Sequence, residues 1–169
     1  MKMFSANIDN LRNLYYNQLQ MLLSAEQQIT EALPKMASKA TDPQLKKAFE
    51  THLDETRTHV TRLEQILNST KGEAKTVKCK VLATMVTETE DMIKDAADDA
   101  VRDAVLITAA QRVEHFEIAC YGTVRRWAQL IGENSQAEIL NQTLQEEGHA
   151  DHLLTQISER VNVSAERAA

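Results

Sequence analysis

Hydrophobic residues recur along the chain with the three- and four-residue spacing of amphipathic helices. In the first such segment Leu19, Leu22, Ile29 and Leu33 form one apolar stripe, because residues at that spacing share a helix face. Comparable patterns follow in four further segments. Together they predict helices over residues 7–39, 43–68, 75–96, 99–131 and 135–160.

Four breaks in the pattern set the predicted helix ends. Asp42 followed by Pro43 is a typical helix start, since proline is favoured in the first turn. Residues 68–72 read as a loop, and the acidic residues 95–99 interrupt another helical pattern. Residues 132–135 are expected to end one helix and to cap the next.

The order of these elements predicts a fold class. Four predicted helices are long, and the shorter one over residues 75–96 lies between the second and third long helices. We therefore expect an all-α protein, a four-helix bundle with an additional short crossover helix, in a single domain spanning residues 1–169. Pro34 lies inside the first helix and is expected to kink it or to end it early.

Composition agrees with helices and excludes several functional classes. Only 4 Gly and 2 Pro occur, and aromatic residues make up 4%, which argues against a β-rich fold with many turns. The net charge is -6 and basic residues do not cluster, so we expect no nucleic-acid partner. No apolar run of membrane-spanning length and no signal-peptide pattern occur, so we expect no membrane partner and a cytoplasmic location. Cys79 and Cys120 are expected to be buried free thiols.

Acidic and histidine side chains interrupt the apolar stripes of the first two helices. Glu26 occupies a position in the first stripe where a leucine would be expected. In the second helix, His52 and His59 lie close to the centre of the apolar face and Glu55 lies on its flank. These three side chains therefore cluster over two helical turns.

The last two helices carry acids on their apolar stripes as well. Glu114 and Glu117 straddle the centre of the stripe in the predicted helix 99–131. In the predicted helix 135–160, Glu147 lies near the centre, with Glu146 and Asp151 beside it. A single acid at such a position is often a flank residue whose carboxylate reaches solvent. Here, however, all four long helices carry an acid or a histidine on the apolar stripe.

Several buried carboxylates require a cation, because an uncompensated buried charge costs several kcal/mol. No Lys or Arg lies at the centre of these stripes, although Arg62 and Arg112 lie close enough to support the metal ligands from outside. Carboxylate with imidazole is a ligand set for iron, manganese or zinc, and carboxylates on facing helices suit a pair of ions, as in ferritin-like di-iron proteins. We expect two ions, iron first and manganese or zinc as alternatives, with candidate ligands Glu26, His52, Glu55, His59, Glu114, Glu117, Glu147 and Asp151.

The segments around these positions resemble the YciF/YciE-like family of ferritin-like, stress-associated bacterial proteins. The resemblance spans nearly the whole chain, and the matching segments are residues 24–28, 52–56, 113–123 and 143–147. It implies a rubrerythrin-like bundle, a homodimer and a dinuclear centre that uses Glu26, His52 or Glu55, Glu114, Glu117 and Glu147. The usual ferritin-like motif places Glu-x-x-His on two helices, whereas here the second helix reads His-x-x-Glu and Asp151 stands where a histidine in phase with the stripe would lie.

Three functions remain open at this stage. A di-iron oxidase or peroxidase would oxidise Fe(II) while it reduces O2 or peroxide, and it would need an external reductant because the chain has no Cys-x-x-Cys motif. Tyr121 lies one turn from Glu117 and is the candidate catalytic residue, with a core tyrosine whose hydroxyl is satisfied as the alternative. The second function is a non-catalytic metal-binding or stress scaffold protein, and the third is a structural bundle whose polar interior sets the register of its helices.

Overall fold

The computed structural model describes residues 8–71 and 74–168, and the part of the chain that it describes contains five α-helices and no strand. The predicted all-α class is confirmed, and no helix among the described residues is long and apolar enough to cross a membrane. The helices are α1 (Leu11–Lys39), α2 (Pro43–Lys71), α3 (Lys80–Asp95), α4 (Asp99–Leu130) and α5 (Asn134–Glu166).

The four long helices pack as two pairs. Helix α1 packs along α2 and α4 along α5, and the pairs meet where α1 contacts α4 and α2 contacts α5. The shorter α3 lies across α1 and α4. Each of the four long helices therefore contacts two other long helices and turns its apolar stripe inward.

The core consists of two apolar clusters, one towards each end of the long helices. One cluster includes Leu33 and Leu106, and the other includes Leu23 and Val124. Between them, each long helix passes through a short polar stretch that includes a buried acid or histidine. The polar layer is thus enclosed by hydrocarbon above and below.

The turn between α1 and α2 is held by two aspartates. Asp42 caps α2 by accepting hydrogen bonds from the amides of Gln44 and Leu45, as its position before proline predicts. The buried Asp103 of α4 accepts from the Thr41 amide at 2.9 Å, the Thr41 hydroxyl at 2.6 Å and the Asp42 amide at 2.8 Å. The turn is therefore fastened to the opposite helix pair.

Helix α3 begins more than one turn after its predicted start. The preceding chain runs along α1 instead, where the Val77 amide donates to the Gln20 carbonyl at 3.1 Å. The Cys79 amide donates to the Ser24 hydroxyl at 3.2 Å. Because these amides are paired with another helix, the segment has no need of its own helical hydrogen bonds.

Other predicted boundaries also need correction. Helix α1 continues past Pro34 to Lys39, so the prediction of an early end is wrong. Residues 68–70 extend α2, although they were predicted to form a loop, and Gly72 of that loop lies outside the described residues. Helix α1 begins at Leu11, after its Asn10 cap, and the predicted start at residue 7 also lies outside the described residues.

The turn from α4 to α5 depends on Gly132. Its φ of +84° lies in the left-handed region, which glycine adopts without steric cost, and it ends α4 as predicted. The cap position of α5 is Glu133, which lies within the predicted segment 132–135, but its side chain makes no capping hydrogen bond. The Glu133 carboxylate instead pairs with Arg12 at 2.6 Å, which ties the turn to α1. Helix α5 then continues to Glu166, beyond its predicted end.

Candidate metal centre

The polar layer gathers acids and histidines from all four long helices. Helices α1 and α5 contribute one carboxylate each, α2 contributes two imidazoles and α4 contributes two carboxylates. All six side chains are at most 7% exposed: Glu26, His52, His59, Glu114, Glu117 and Glu147. Each of these residues was a candidate ligand in the sequence, and the structure brings them together.

These side chains form two overlapping groups. The first consists of His52, Glu114, Glu117 and Glu147, and the second consists of Glu26, His59 and Glu147. Within each group, one potential ligand atom per residue lies within 4.8 Å of all the others. Each group therefore has the size and donor chemistry of a metal site.

Glu147 belongs to both groups and presents one oxygen to each. Its Oε1 lies 3.0 Å from His59 Nδ1, and its Oε2 lies 3.9 Å from His52 Nε2. A carboxylate that faces two donor groups with separate oxygens has the geometry of a bridge between two cations.

Carboxylates outside the layer orient both histidines. Glu146 accepts from His59 Nε2 at 2.9 Å, and Arg62 holds that carboxylate through Nη1 and through Nη2 at 3.0 Å. Glu55 Oε2 lies 3.4 Å from His52 Nδ1. The far nitrogen of each ring is thereby engaged, so the near nitrogen points into the layer, as in carboxylate–histidine–metal arrangements.

Many polar atoms of the layer make no hydrogen bond within the described chain. They are Glu26 Oε2, His52 Nε2, His59 Nδ1, Glu114 Oε2 and both carboxylate oxygens of Glu117 and of Glu147. Buried polar atoms are almost always paired, and leaving one unpaired costs about 1–3 kcal/mol. The concentration of such atoms in one layer makes it a candidate cation site. Among the described residues, no Lys or Arg forms an ion pair with these side chains.

Burial and mutual repulsion raise the pKa values of three carboxylates of the layer, Glu114, Glu117 and Glu147. Burial, with a contribution from Glu147, raises the pKa of Glu114 to about 8. Burial and repulsion from Glu26 raise the pKa of Glu117 well above its ordinary value. Burial raises the pKa of Glu147 to about 7, although the facing His59 opposes that rise. The layer therefore favours protons, or cations that replace them.

The pKa values of the two histidines are also raised, and for a histidine this favours the charged form. Burial disfavours the charged form of His59, but the facing carboxylates of Glu147 and Glu26 outweigh burial and raise its pKa to about 11. For His52, burial acts in the same direction, and Glu114 and Glu55 outweigh it, so its pKa is also raised. A metal ion would have to displace these protons, because only the neutral nitrogen can coordinate.

Tyr121 lies against the second group. It is completely buried, its hydroxyl donates to Glu26 Oε1, and its ring lies 6.4 Å from the ring of His59. Burial, together with the charge of Glu26, raises its pKa well above the ordinary value, so the hydroxyl keeps its proton. Its hydroxyl is satisfied, as in the core-tyrosine alternative, but its partner belongs to the polar layer.

Two candidate ligands lie outside both groups. Glu55 is partly exposed and contacts the far ring nitrogen of His52. Asp151 lies 3.4 Å from the Gln111 amide and 3.4 Å from the exposed His115, on the outer side of α4 and α5. The role of Glu146 in orienting His59 was not predicted from the sequence. Its position on the flank of the apolar stripe, beside Glu147, was the available signal.

Two arginines and two cysteines near the layer were also singled out in the sequence. Arg62 pairs with Glu146, as expected of a supporting residue, whereas the Arg112 guanidinium lies 3.9 Å from the Met92 sulfur. The two cysteines are free, as expected, with Cys79 buried and Cys120 partly exposed.

Comparison with known proteins identifies relatives along nearly the entire chain. The family model described as a domain of unknown function (DUF892) matches residues 10–167. The protein YciF of Escherichia coli K12 is 36% identical over 165 residues, which are 96% of this chain and 99% of that protein. The family resemblance found in the sequence is therefore confirmed.

Solved structures give the same result. The crystal structure of the E. coli stress protein YciF superposes with a TM-score of 0.87 at 35% identity, covering 91% of this chain and 98% of that one. YcfI from Rhodopseudomonas palustris, described as a candidate structural protein, has the same TM-score and identity and covers 90% of this chain and 98% of its own. A protein from Xanthomonas campestris shares the fold at 22% identity, with a TM-score of 0.76 over 94% of this chain and 98% of its own. This chain belongs to the DUF892 family and is a YciF-like protein.

Proposed function

We propose that this protein is a ferritin-like four-helix bundle that binds two divalent ions, iron in the first place, and oxidises ferrous iron while reducing O2 or peroxide. The bundle is supported by the two packed helix pairs and by α3, which connects α2 to α4. The E. coli relative is a stress protein, and a role in stress suits a protein that removes iron and oxidants together.

One observation carries the proposal. The buried layer contains four carboxylates and two imidazoles, and eight of their side-chain atoms have no hydrogen-bond partner among the described residues. Two divalent cations would neutralise the four carboxylates and would supply the absent partners. This donor set fits iron, and it also fits manganese or zinc.

Each residue then has a defined task in the proposed centre. Glu147 would be a ligand in both groups, Glu114 and Glu117 would complete the first group, and Glu26 would complete the second. His52 and His59 supply one nitrogen each. Bound iron would supply electrons for the reduction of O2 or peroxide. The two apolar clusters keep bulk water away, which strengthens every electrostatic interaction in the layer.

Metal analysis tests the binding step. Protein loaded anaerobically with Fe(II) and then desalted should hold two ions per chain. Glu147→Leu should hold at most one, because both groups lose a ligand, whereas the control Glu138→Leu at an exposed position of α5 should still hold two. Wild-type protein that retains no iron, manganese or zinc would contradict the proposal.

Exposure of the loaded protein to air, or to peroxide, tests the redox step. Oxygen consumption and a transient absorbance change are expected as the iron is oxidised. Tyr121→Phe should retain two ions but oxidise them about 10²-fold more slowly, the lower end of the effects of positioned proton donors. An unchanged rate would return Tyr121 to the role of a core tyrosine.

A second candidate function is a metal-binding or stress scaffold protein without turnover. The description of the R. palustris relative as a candidate structural protein favours it. The air-exposure experiment separates the two functions, because a scaffold would hold two ions and consume no oxygen. A purely structural bundle would hold none.

We also propose a homodimer. Helix α4 carries apolar residues on its outer side as well, and Leu130 is 58% exposed there, while Trp127 is only partly covered. A partner subunit would bury this surface. Native mass spectrometry should show twice the chain mass, and a monomer at micromolar concentration would contradict it.

A further inference from the structure

A narrow crevice leads from the surface, between α2 and α5, to the candidate metal centre. Its volume is about 70 Å³, which holds a few water molecules, since one water needs about 10–15 Å³ of such space. Thr51 and His149 line the crevice and are exposed, so they mark its outer end. His52 and Glu114 line it and are buried, so they mark its inner end. Both belong to the first ligand group, and the crevice therefore joins solvent to that group.

Potential ligands for a cation follow one another along the crevice. The Glu55 side chain lines it, is 36% exposed and places Oε2 3.4 Å from His52 Nδ1. Further in, His52 Nε2 and Glu114 Oε2 are buried and have no hydrogen-bond partner in the described chain. Among the described residues, no Lys or Arg lines the crevice or forms an ion pair with Glu55. The carboxylate at the entrance is therefore available to an incoming cation.

A second opening reaches the same inner carboxylate but suits a cation less well. The cleft between α1, α3 and α4 also extends to Glu114, and its walls are mainly apolar there, with Ala110 and Val113. Besides Glu114, the described lining includes one carboxylate, that of Glu90, which is paired with Lys35 at 3.4 Å. An ion that loses water needs other ligands in return, because its desolvation costs several kcal/mol. The crevice supplies such a ligand on the way in, at Glu55.

We propose that the crevice between α2 and α5 is the route by which ferrous iron enters the centre, and that the Glu55 carboxylate attracts the ion at the entrance. This inference rests on the proposed function, in which ferrous iron is the substrate. An ion travels the same route in both directions. An obstruction should therefore slow uptake and release by the same factor and leave the affinity unchanged.

A bulky side chain at the entrance tests the route. Metal-free, full-length protein is mixed rapidly with Mn(II), which stands in for Fe(II), and the electron paramagnetic resonance signal of the free ion reports uptake. Transfer of bound Mn(II) to excess EDTA reports release. In Thr51→Trp both rates should fall about tenfold or more, because the indole must move before an ion passes. The matched control Thr58→Trp, at an exposed position of α2 outside the crevice, should keep the rates of the wild type.

Two further variants locate the obstruction. Ala48→Phe narrows the crevice from α2 and should slow Mn(II) uptake as Thr51→Trp does. Ala32→Phe narrows the cleft between α1, α3 and α4 and should leave the uptake rate unchanged. Unchanged rates in both folded crevice variants would overturn the proposal. Slower uptake in Ala32→Phe alone would also overturn it, because ions would then enter through the cleft.

The charge of Glu55 is tested separately from its contact with His52. Glu55→Gln keeps an oxygen that can accept from His52 Nδ1 but removes the charge. Uptake should be about threefold slower than in the wild type at low ionic strength. The difference should vanish near 1 M salt, where charges more than about 3 Å apart are screened. The exposed Glu138→Gln should match the wild type at both salt concentrations. An uptake rate equal to that of the wild type, or a deficit that salt does not change, would overturn the role of Glu55.

The route and the metal centre can fail in distinguishable ways. Equilibrium dialysis should find two Mn(II) ions per chain in the wild type, in Thr51→Trp and in Ala48→Phe, because none of these changes removes a ligand. A wild type that binds no metal would refute the proposed function, and the route with it. Two bound ions in every protein, taken up at equal rates, would refute the route alone.

Discussion

Replacement of Glu117 by leucine should stabilise the metal-free protein and should reduce the additional stability that metal binding provides. Glu117 is completely buried, and neither of its carboxylate oxygens has a hydrogen-bond partner in the described chain. In metal-free protein, burial and Glu26 raise the pKa of Glu117 well above its ordinary value. The native state must therefore bury either a protonated carboxyl group or a carboxylate that lacks a partner, and both cost free energy. Leucine removes both costs with little change in volume.

The expected magnitude follows from the burial of the side chain. Replacing buried ionised groups by well-packed apolar side chains of similar volume is often neutral or stabilising, by up to about 4 kcal/mol. In chelator, Glu117→Leu should therefore raise the free energy of unfolding by up to that amount. With metal, wild type should gain about 2.7 kcal/mol per site at a free metal concentration about 100 times Kd, and the variant should gain less because its first group lacks a ligand.

The assay is urea unfolding followed by far-ultraviolet circular dichroism at pH 7, with chelator in one series and Mn(II) in the other. Manganese is chosen because it avoids oxidation during the measurement. Glu138→Leu, on the exposed side of α5, is the matched control and should change stability by no more than about 0.5 kcal/mol in either series. Destabilisation by Glu117→Leu in chelator as well would refute the reasoning, because Glu117 would then be a paired structural residue and no cation would be required.

Three further predictions concern the site and the turn that supports it. Burial raises the pKa of Glu114 to about 8, so the folded metal-free protein keeps a proton that the unfolded chain has released. Its free energy of unfolding should therefore fall between about pH 5 and pH 8, by up to about 1.4 kcal/mol per pH unit, as followed by urea titration at each pH. Glu146→Gln should weaken metal binding about 10- to 100-fold in chelator competition, because His59 loses its orienting partner, whereas the exposed Glu50→Gln should not. Asp103→Ala should destabilise the fold by about 1–3 kcal/mol in urea, because the partly buried amides of Thr41 and Asp42, between α1 and α2, lose their acceptor.

Each of these predictions has a contradicting outcome. Metal-free protein whose stability rises between pH 5 and pH 8 would mean that paired carboxylates dominate the titration. Unchanged affinity in Glu146→Gln would mean that packing alone orients His59. Wild-type stability of Asp103→Ala would mean that water replaces the lost acceptor.

The identity of the buried polar residues could be derived from the sequence because helical phase is a local property. The 3.6-residue repeat fixes which residues share a face, so Glu26, Glu114, Glu117 and Glu147 could be placed on apolar stripes without knowledge of the partner helices. Helix breaks at Pro43 and Gly132 were likewise readable from local steric rules. The same local rules failed at the start of α3, where the chain pairs with α1 instead of with itself.

What only the tertiary structure decided is which atoms face one another across helices. The phase of α2 places Glu55 next to His52, but only packing shows that it contacts the far ring nitrogen, while Glu147 lies between the two ligand groups. The Asp103 carboxylate accepts from the Thr41 amide, although the two residues are 62 positions apart in sequence. Such contacts depend on the relative rotation and translation of whole helices, which are fixed by the packing of the core and not by the periodicity of any single segment.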